Sequence, residues 1–361
     1  MTVVFRVDAS VAIGSGHVMR CLTLANALTE KGMVCLFICR EHEGNLISKI
    51  LDEGYKVQRL TNDYSEKNQI VGDNFYNGWL GAGQLDDASE SIEIIKGSKC
   101  EWLIVDHYGL DIIWESKLRD HCNKLMVVDD LANRSHLCNL LLDQNLGRGF
   151  EDYSNLVPDY CSVLLGPMYA LVREEFSALR ERSLSRREKY KLKNILITMG
   201  GIDKINVTGR VLDALTACML PDDCVITIVM GQEAVWLSQI QIAAENSSLN
   251  TRIVINANNM GELMLQADLC IGAAGSTSWE RCAMGLPSIL FCVADNQKTG
   301  LDALSKTGAV LTMGLTGKSI KPIELNKKIA EISAGSYEMV RKAALITDGM
   351  GCHKIINTME L

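Results

Sequence analysis

The chain has 361 residues, a mass of 39.8 kDa and a formal net charge of −8. Hydrophobic residues make up 47% of the sequence and charged residues 22%, which excludes an intrinsically disordered chain, a coiled coil and a collagen-like repeat. Because nucleic-acid-binding proteins are usually basic, at least locally, the acidic balance argues against a nucleic-acid partner. No apolar run approaches the roughly 20 residues of a membrane span, so we expect no membrane partner.

The thirteen cysteines show no framework of disulfides or metal ligands. Their number is odd, no CxxC occurs, and their spacing is typical of reduced thiols that fill a core. His136 and Cys138 lie close together in the sequence, but two ligands do not make a zinc site, so we expect no metal and no cofactor. A strand pattern begins at Val3 with no signal peptide ahead of it, which predicts a cytoplasmic protein.

The first half of the chain alternates strand and helix patterns. The predicted elements are, in chain order, strand 3–8, helix 17–31, strand 34–39, helix 44–53, strand 55–59, helix 85–96, strand 102–105, helix 111–121, strand 125–128 and strand 140–142. The all-apolar run 34–39 is typical of parallel strands that are buried on both faces. The polar stretch 60–84 has no clear period, so it is either a candidate lid or an insertion without a role.

The second half repeats this alternation after a basic segment. Residues 180–193 include seven basic residues in fourteen and predict a solvated helix end that serves as an interdomain linker. The following predicted elements are strand 194–199, helix 206–219, strand 224–230, helix 233–244, strand 251–255, helix 260–266, strand 269–271, helix 276–284, strand 288–292 and helices 297–306, 322–332 and 337–345.

Two successive sets of βα units predict an α/β protein with two doubly wound, Rossmann-like domains that face each other across a cleft. We expect an N-terminal domain over 1–179, the linker over 180–193 and a C-terminal domain over 194–361. Ligands of such sheets bind at the carboxyl ends of the parallel strands. Three strand-to-helix junctions are rich in glycine and small polar residues, and they are the candidate sites.

The first junction runs from Asp8 to His17. Gly14 and Gly16 allow close backbone approach, and His17 opens the next helix. The positive end of a helix dipole favours a neutral imidazole, which a general base requires. Asp8 ends the preceding strand and could orient that ring or bind substrate. The alternative is a histidine that only forms a hydrogen bond near a helix start, and the GxGxxG dinucleotide pattern is absent here.

The second junction contains Gly200 and Gly201, whose backbone N–H groups could face an anion or form an ordinary tight turn. The third contains Gly275, Ser276 and Thr277 directly before an apolar helix, where hydroxyl and free N–H groups converge as in a diphosphate site. Glu280, about one turn further on, could accept the two hydroxyls of a ribose, or it could only favour the helix dipole.

The motifs at and between these junctions resemble one family in their order and spacing. The segments that carry the resemblance are 5–8, 13–17 (Ile-Gly-Ser-Gly-His), 19–20, 105–109 (Val-Asp-His-Tyr-Gly), 129–132, 141–145, 166–176, 199–203, 275–280, 285–287 and 296–297. The family is that of the UDP-2,4-diacetamido-2,4,6-trideoxy-β-L-altropyranose hydrolases of pseudaminic acid biosynthesis. One departure from its pattern is Asn139, where we expect an aspartate.

This resemblance implies a fold and a set of roles. The fold is like that of the GT-B glycosyltransferases, especially the lipid II-forming N-acetylglucosaminyltransferase, with UDP held by the C-terminal domain. His17 would be the general base, and Tyr108 and Asn296 would contact the UDP-linked diacetamido-trideoxy sugar. Water would attack the anomeric carbon with inversion and displace UDP, in the pathway that supplies flagellin glycosylation.

Two other functions are consistent with the same patterns. A GT-B glycosyltransferase with a UDP-sugar donor would need an acceptor site, often with an apolar, basic patch on its N-terminal domain, and the sequence shows no such stretch. A nucleotide-sugar-binding protein without catalysis would bind UDP and be unaffected by loss of His17. Since one fold hosts several activities, the resemblance favours the hydrolase and leaves these alternatives open.

Overall fold

The computed structural model describes residues 1–62, 75–294, 297–315 and 320–361. These residues form two compact units. The N-terminal unit comprises Met1–Leu171 together with Gly351–Leu361, and the C-terminal unit comprises Val172–Met350. In the described ranges, no helix is long and apolar enough to cross a membrane.

The N-terminal unit is built around a parallel sheet. Its elements are β1 (Thr2–Val7), α1 (Gly16–Glu30), β2 (Val34–Arg40), α2 (Ile47–Asp52), β3 (Lys56–Leu60), α3 (Gln84–Ile95), β4 (Cys100–Asp106), α4 (Ile112–Leu118), β5 (Lys124–Val128), β6 (Leu140–Asp143) and β7 (Ser162–Leu165). Within the described residues the strand order is β3-β2-β1-β4-β5-β6-β7. The order reverses between β1 and β4, where Val7 pairs with Asp106, and such a switch point is where doubly wound sheets bind ligands.

The C-terminal unit repeats the same arrangement. Its elements are α5 (Glu174–Arg187), β8 (Asn194–Thr198), α6 (Val207–Leu215), β9 (Val225–Met230), α7 (Leu237–Glu245), β10 (Asn250–Ile255), α8 (Met260–Gln266), β11 (Leu269–Ala273), α9 (Thr277–Ala283), β12 (Ser288–Cys292), α10 (Lys298–Lys306), β13 (Leu311–Leu315) and α11 (Pro322–Ile346). Its parallel strands follow the order β10-β9-β8-β11-β12-β13 in the part of the chain that is described. The switch point lies between β8 and β11.

Alternation along the strands explains the two layers of helices. In β1, Val3 and Phe5 belong to a core cluster with Leu28 of α1, while Val4 belongs to the cluster of the opposite face with Trp114 of α4. All five of these side chains are fully buried. Because successive side chains of a strand point to opposite faces, an apolar strand needs a helical cover on both sides.

The compact units differ from the predicted domain boundaries at two segments. The basic residues of 180–187 lie in α5, where Arg180 and Arg187 donate hydrogen bonds to backbone carbonyls of the C-terminal unit, so this stretch is a docked helix and not a solvated linker. The final helix, α12 (Gly351–Met359), packs in the N-terminal core through Ile355 and Ile356. An apolar helix face can be predicted from sequence, but the domain that covers it cannot.

The sequence patterns located the other elements with shifts of their ends and did not predict β7, the first part of α5, β13 or α12. The predicted helices 322–332 and 337–345 are the two arms of α11, which join at Gly335, a residue with non-helical dihedral angles. Of the candidate lid over 60–84, residues 63–74 lie outside the described residues. The part that follows forms a 3₁₀ helix, Phe75–Trp79, before α3.

Candidate active site

His17 and Asp106 meet at the switch point of the N-terminal sheet. His17 is the second residue of α1, which follows β1, and Asp106 is the last residue of the neighbouring strand β4. The Nδ1 atom of His17 lies 2.6 Å from Oδ1 of Asp106. His17 is 8% exposed and Asp106 is fully buried. The carboxylate therefore accepts the Nδ1 proton and leaves the lone pair of the neutral ring on Nε2.

Arg20 holds the Asp106 carboxylate from the other side. Its Nε and Nη2 atoms donate to the two carboxylate oxygens, each at 2.6 Å, and its Nη1 atom donates to Asp130 at 2.6 Å. Burial alone raises the pKa of Asp106, but the charge of Arg20 and the contact with His17 outweigh it and bring this pKa well below its usual range. Asp106 therefore stays ionised and can stabilise an imidazolium at His17.

Aromatic rings surround the His17 imidazole. The ring of Tyr108 is 4.6 Å from it in an edge-on arrangement, and the Tyr108 hydroxyl donates to Asp130 at 2.7 Å. Trp79 stacks on Tyr108 with centroids 5.7 Å apart, and Tyr76 contacts both rings. Trp79 and Tyr76 come from the 3₁₀ helix inside the predicted lid. Sequence reasoning singled out Tyr108 and missed these two aromatics, because nothing local to them indicates which strand end they approach.

Asp8 does not orient His17, which corrects one of the two roles predicted for it. Its Oδ1 atom accepts hydrogen bonds from Arg6 and from the backbone N–H of Arg40, each at 2.7 Å. Its Oδ2 atom lies 3.5 Å from the Nε2 atoms of His42 and His107. Asp8 has no exposed surface, so in this structure its carboxylate reaches no ligand and instead supports the segment next to Asp106. The partner of His17 comes from β4, an element that the spacing around His17 does not reveal.

Gly14 and Gly16, at the junction of β1 and α1, leave open space around their Cα atoms. Gly14 has a positive φ of 83°, and its N–H donates to the Ser10 carbonyl at 2.8 Å. A Cβ atom built at Gly14 or at Gly16 would meet nothing within 4 Å. The left-handed backbone accounts for a glycine at 14, whereas Gly16 leaves room at the start of the helix.

A second carboxyl group next to this network predicts a pH-dependent stability. Asp143 ends β6, and burial, with the charge of Asp130, raises its pKa to about 7. The native state therefore keeps a proton that the unfolded chain releases near pH 3.9, and its stabilising effect is lost as the pH rises to about 7. We expect Asp143→Asn to lose less stability than the wild type between pH 5 and pH 8 in urea unfolding. Identical pH dependence of the two proteins would contradict this assignment.

At the switch point of the C-terminal sheet, Gly200 and Gly201 follow β8. Both residues are exposed, and a Cβ atom at either would meet nothing within 4 Å. The N-terminus of the following helix, α6, is already bound by a carboxylate of the chain itself. Asp203 accepts hydrogen bonds from the backbone N–H groups of Val207 and Thr208 at 2.9 and 2.8 Å. The start of α6 is therefore capped, and only the glycine turn itself is open to a ligand.

The third junction follows β11, the strand next to β8. Gly275 is exposed and has a φ of +144°, which L side chains rarely adopt, and Ser276 and Thr277 lead into α9. The Gln297 side chain lies over this turn. Its Oε1 atom accepts the Val293 N–H at 3.0 Å, and its Nε2 atom would lie 3.6 Å from a Cβ atom at position 275. Asn296, which we predicted to contact the substrate, lies outside the described residues.

Glu280 has one carboxylate oxygen in use and one without a partner. Its Oε1 atom accepts a hydrogen bond from Arg173 Nε at 3.1 Å, while its Oε2 atom is buried and has no hydrogen-bond partner among the described residues. Burial raises the pKa of Glu280, and Arg173 only partly opposes this. A buried, unpartnered acceptor is costly, so this oxygen is suited to a ligand hydroxyl. Within the described ranges, no group of three or more His, Cys, Asp or Glu side chains could hold a metal ion.

Comparisons with known proteins identify the family and the fold. The Glycosyltransferase family 28 C-terminal domain matches residues 194–350. The chain is 30% identical to the UDP-2,4-diacetamido-2,4,6-trideoxy-β-L-altropyranose hydrolase of Campylobacter jejuni. The match extends over 308 residues, which are 85% of this chain and 97% of that hydrolase. The chain belongs to the family of that hydrolase. The resemblance predicted from the sequence motifs is thereby confirmed.

Two further matches have lower sequence identity. The spore coat polysaccharide biosynthesis protein SpsG of Bacillus subtilis is 22% identical over 312 residues, which are 85% of this chain and 82% of SpsG. The crystal structure of Acinetobacter baumannii MurG superposes with a TM-score of 0.70 at 15% identity and covers 99% of both chains. The fold is therefore that of the GT-B glycosyltransferases, as predicted. The family and the fold make the chain a nucleotide-sugar-processing enzyme of the GT-B type.

Proposed function

We propose that this enzyme hydrolyses a UDP-linked 2,4-diacetamido-2,4,6-trideoxy sugar to UDP and the free sugar, in pseudaminic acid biosynthesis. The observation that carries the proposal is the His17–Asp106 pair, in which a buried, ionised carboxylate fixes the ring so that Nε2 is the basic nitrogen. An oriented imidazole without a nucleophilic serine or cysteine in its described contacts is suited to activating a water molecule. Water is then the acceptor, and the sugar enters no covalent intermediate.

The proposed reaction is a single displacement with inversion. Nε2 of His17 takes a proton from water, the water oxygen bonds to the anomeric carbon, and the bond from that carbon to the UDP oxygen breaks. Asp106 stabilises the imidazolium that forms. UDP leaves as an anion and needs no general acid, unlike the leaving groups of most glycosidases, which require a second carboxyl group.

The C-terminal unit is the proposed binding site for UDP. The exposed turn of Gly275, Ser276 and Thr277 offers hydroxyl and backbone N–H groups to the diphosphate, and the open turn of Gly200 and Gly201 offers further N–H groups. Donors placed at the diphosphate stabilise the charge that develops there as the bond to the sugar breaks. Their role is therefore both binding and transition-state stabilisation.

The proposed ribose contact is Glu280, and it predicts a specific loss. Glu280 Oε2 is buried and has no hydrogen-bond partner in the described part of the chain, so we expect it to accept a ribose hydroxyl. A hydrogen bond to a charged acceptor is worth about 1.5–3 kcal/mol. Glu280→Gln should weaken UDP binding by about 10-fold or more in calorimetry. Glu175→Gln is the matched control, since Glu175 also pairs with Arg173 but has 30% of its side chain exposed.

A dideoxy analogue separates this contact from a general loss of structure. The wild type should bind the 2′,3′-dideoxy analogue of UDP more weakly than UDP, and the Glu280→Gln variant should bind both nucleotides nearly equally. Burial raises the pKa of Glu280, so this carboxylate takes up a proton at a higher pH than an exposed glutamate does. As the pH is lowered, the wild type should therefore lose its preference for UDP earlier than it would with an exposed glutamate. An unchanged preference in the variant would exclude Glu280 from ribose recognition.

The sugar is proposed to bind next to His17. Tyr108 lies 4.6 Å from the imidazole, and the half-buried Trp79 stacks on it, so the sugar would contact these rings and the open space at Gly14 and Gly16. We also propose Asn296 as a sugar contact, on the basis of the family motif. Asp8 is proposed to position the segment of Asp106 and Tyr108 without touching the sugar.

A transferase is the second candidate, because the fold is shared with the GT-B glycosyltransferases. The experiment is incubation of the enzyme with the UDP-linked diacetamido-trideoxy altrose in the absence of any other acceptor. A hydrolase releases UDP and free sugar in equal amounts over many turnovers. A transferase leaves the substrate intact until an acceptor is added, and a binding protein leaves it intact in both cases.

A further inference from the structure

Two cysteines away from the candidate active site lie in contact. Cys138 precedes β6, Cys161 precedes β7, and their Sγ atoms are 3.5 Å apart. The backbone is held together at the same point, because the N–H of Ser162 donates to the carbonyl of Asn139 at 2.9 Å. All thirteen cysteines are reduced in this structure, and ten of them are buried. The burial of these ten is what thiols that fill a core require, and one pair among the thirteen is in close contact.

The two thiols differ in accessibility and acidity. Cys138 is 1% exposed, while Cys161 is only partly buried. The hydrogen bond with the Cys138 thiol lowers the pKa of Cys161, whereas that bond and burial raise the pKa of Cys138. A thiolate is the reactive form of cysteine. The accessible member of the pair is therefore also the more nucleophilic one, and the buried member lies next to it.

We propose that Cys138 and Cys161 are a redox modification site that forms a reversible disulfide when the protein meets a hydroperoxide. A disulfide requires the two sulfurs to come within about 2.05 Å of each other. Rotation of the two side chains can close the remaining distance, because the backbones at the start of β6 and β7 are already hydrogen-bonded. The site faces the amino ends of β6 and β7. It is therefore at the edge of the sheet opposite to His17 and Asp106, and it is independent of the proposed hydrolysis.

The chemistry balances in two steps. The Cys161 thiolate attacks one oxygen of hydrogen peroxide, the O–O bond breaks, and hydroxide leaves, which gives a sulfenic acid on Cys161. The Cys138 sulfur then attacks the Cys161 sulfur, the S–O bond breaks, and the departing hydroxide takes the Cys138 proton. Two thiols and one peroxide become one disulfide and two waters, and an added dithiol returns both cysteines to thiols.

The test uses the full chain, first reduced and then treated with one equivalent of hydrogen peroxide. Remaining thiols are alkylated under denaturing conditions, and the peptides are mapped by mass spectrometry. We expect a cross-linked pair of peptides that contain Cys138 and Cys161, eleven alkylated cysteines of the thirteen, and loss of the cross-link after dithiothreitol. Alkylation of both Cys138 and Cys161, with oxidation at other cysteines, would overturn the proposal.

Two serine variants and one control fix the order of events. Cys138→Ser should leave a sulfenic acid on Cys161 that dimedone traps, and Cys161→Ser should leave Cys138 unoxidised. Cys218→Ser is the control, because Cys218 is also partly buried but its thiol donates to the carbonyls of Ala214 and Pro322. That variant should form the 138–161 disulfide as the wild type does. Trapping of the sulfenic acid on Cys138 in the Cys161→Ser variant would contradict the assigned roles.

Discussion

Replacement of His17 by alanine should lower kcat for UDP release by about 10²–10⁴, since this is the usual contribution of a positioned general base and no other described imidazole shares its contact with Asp106. The Kd for UDP should stay within a factor of about two, because the proposed nucleotide contacts lie in the C-terminal unit. Steady-state UDP release and calorimetry measure the two quantities on the same preparation.

The matched control for this change is His121→Ala. His121 is exposed and lies in the 3₁₀ helix Arg119–His121, after α4, so its loss should leave kcat unchanged. A His17→Ala enzyme that keeps kcat within tenfold of the wild type would contradict the role of His17 as the base. Loss of UDP affinity together with kcat would instead show that the substitution disturbs more than the proton transfer.

The second large effect is expected for Asp106→Asn. An amide at this position can donate to Nδ1 of His17, which moves the ring proton to Nε2 and removes the lone pair from the water. It also removes the charge that stabilises the imidazolium. The same change in the Ser-His-Asp triad costs about 10⁴ in kcat, and we expect a loss of about 10²–10⁴ here.

Stability has to be separated from this catalytic loss. Asp106 pairs with Arg20 in the interior, and removing one partner of a buried ion pair costs about 3–5 kcal/mol. Asp87→Asn is the matched control, because Asp87 is equally buried and pairs with Arg6 and Arg40 without touching His17. Both variants should unfold at lower temperature, and only Asp106→Asn should lose most of kcat at a temperature where both are folded. Equal losses of kcat in the two variants would assign the effect to folding.

The alternation of apolar strands and amphipathic helices was sufficient to predict both sheets. Strands such as β2 and β12 are apolar except for one terminal residue, and a parallel sheet with helices on both faces is the arrangement that buries them. The junctions also follow from sequence, because the glycines and the histidine stand where a strand pattern gives way to a helix pattern. These features depend on neighbours in the chain, and they were predicted correctly.

Features that depend on neighbours in space were not predicted. Asp8 and Asp106 both end apolar strands, and only the pairing of β1 with β4 shows that Asp106 is the partner of His17. The basic stretch 180–187 was predicted to be solvated because charged side chains are usually exposed. Arg187 is nevertheless only 2% exposed, and it donates hydrogen bonds to the carbonyls of Met264, in α8, and Ala267, directly after α8. Gln297 is likewise placed over Gly275 by a hydrogen bond to Val293 that no motif contains.

The most direct test of the proposed mechanism is hydrolysis of the UDP-linked diacetamido-trideoxy altrose in ¹⁸O-labelled water, with the products analysed by mass spectrometry. Attack at the anomeric carbon places the label on the C1 oxygen of the free sugar, leaves UDP unlabelled and depends on His17. Label in the terminal phosphate of UDP would mean attack at phosphorus, and it would contradict both the reaction and the role of His17.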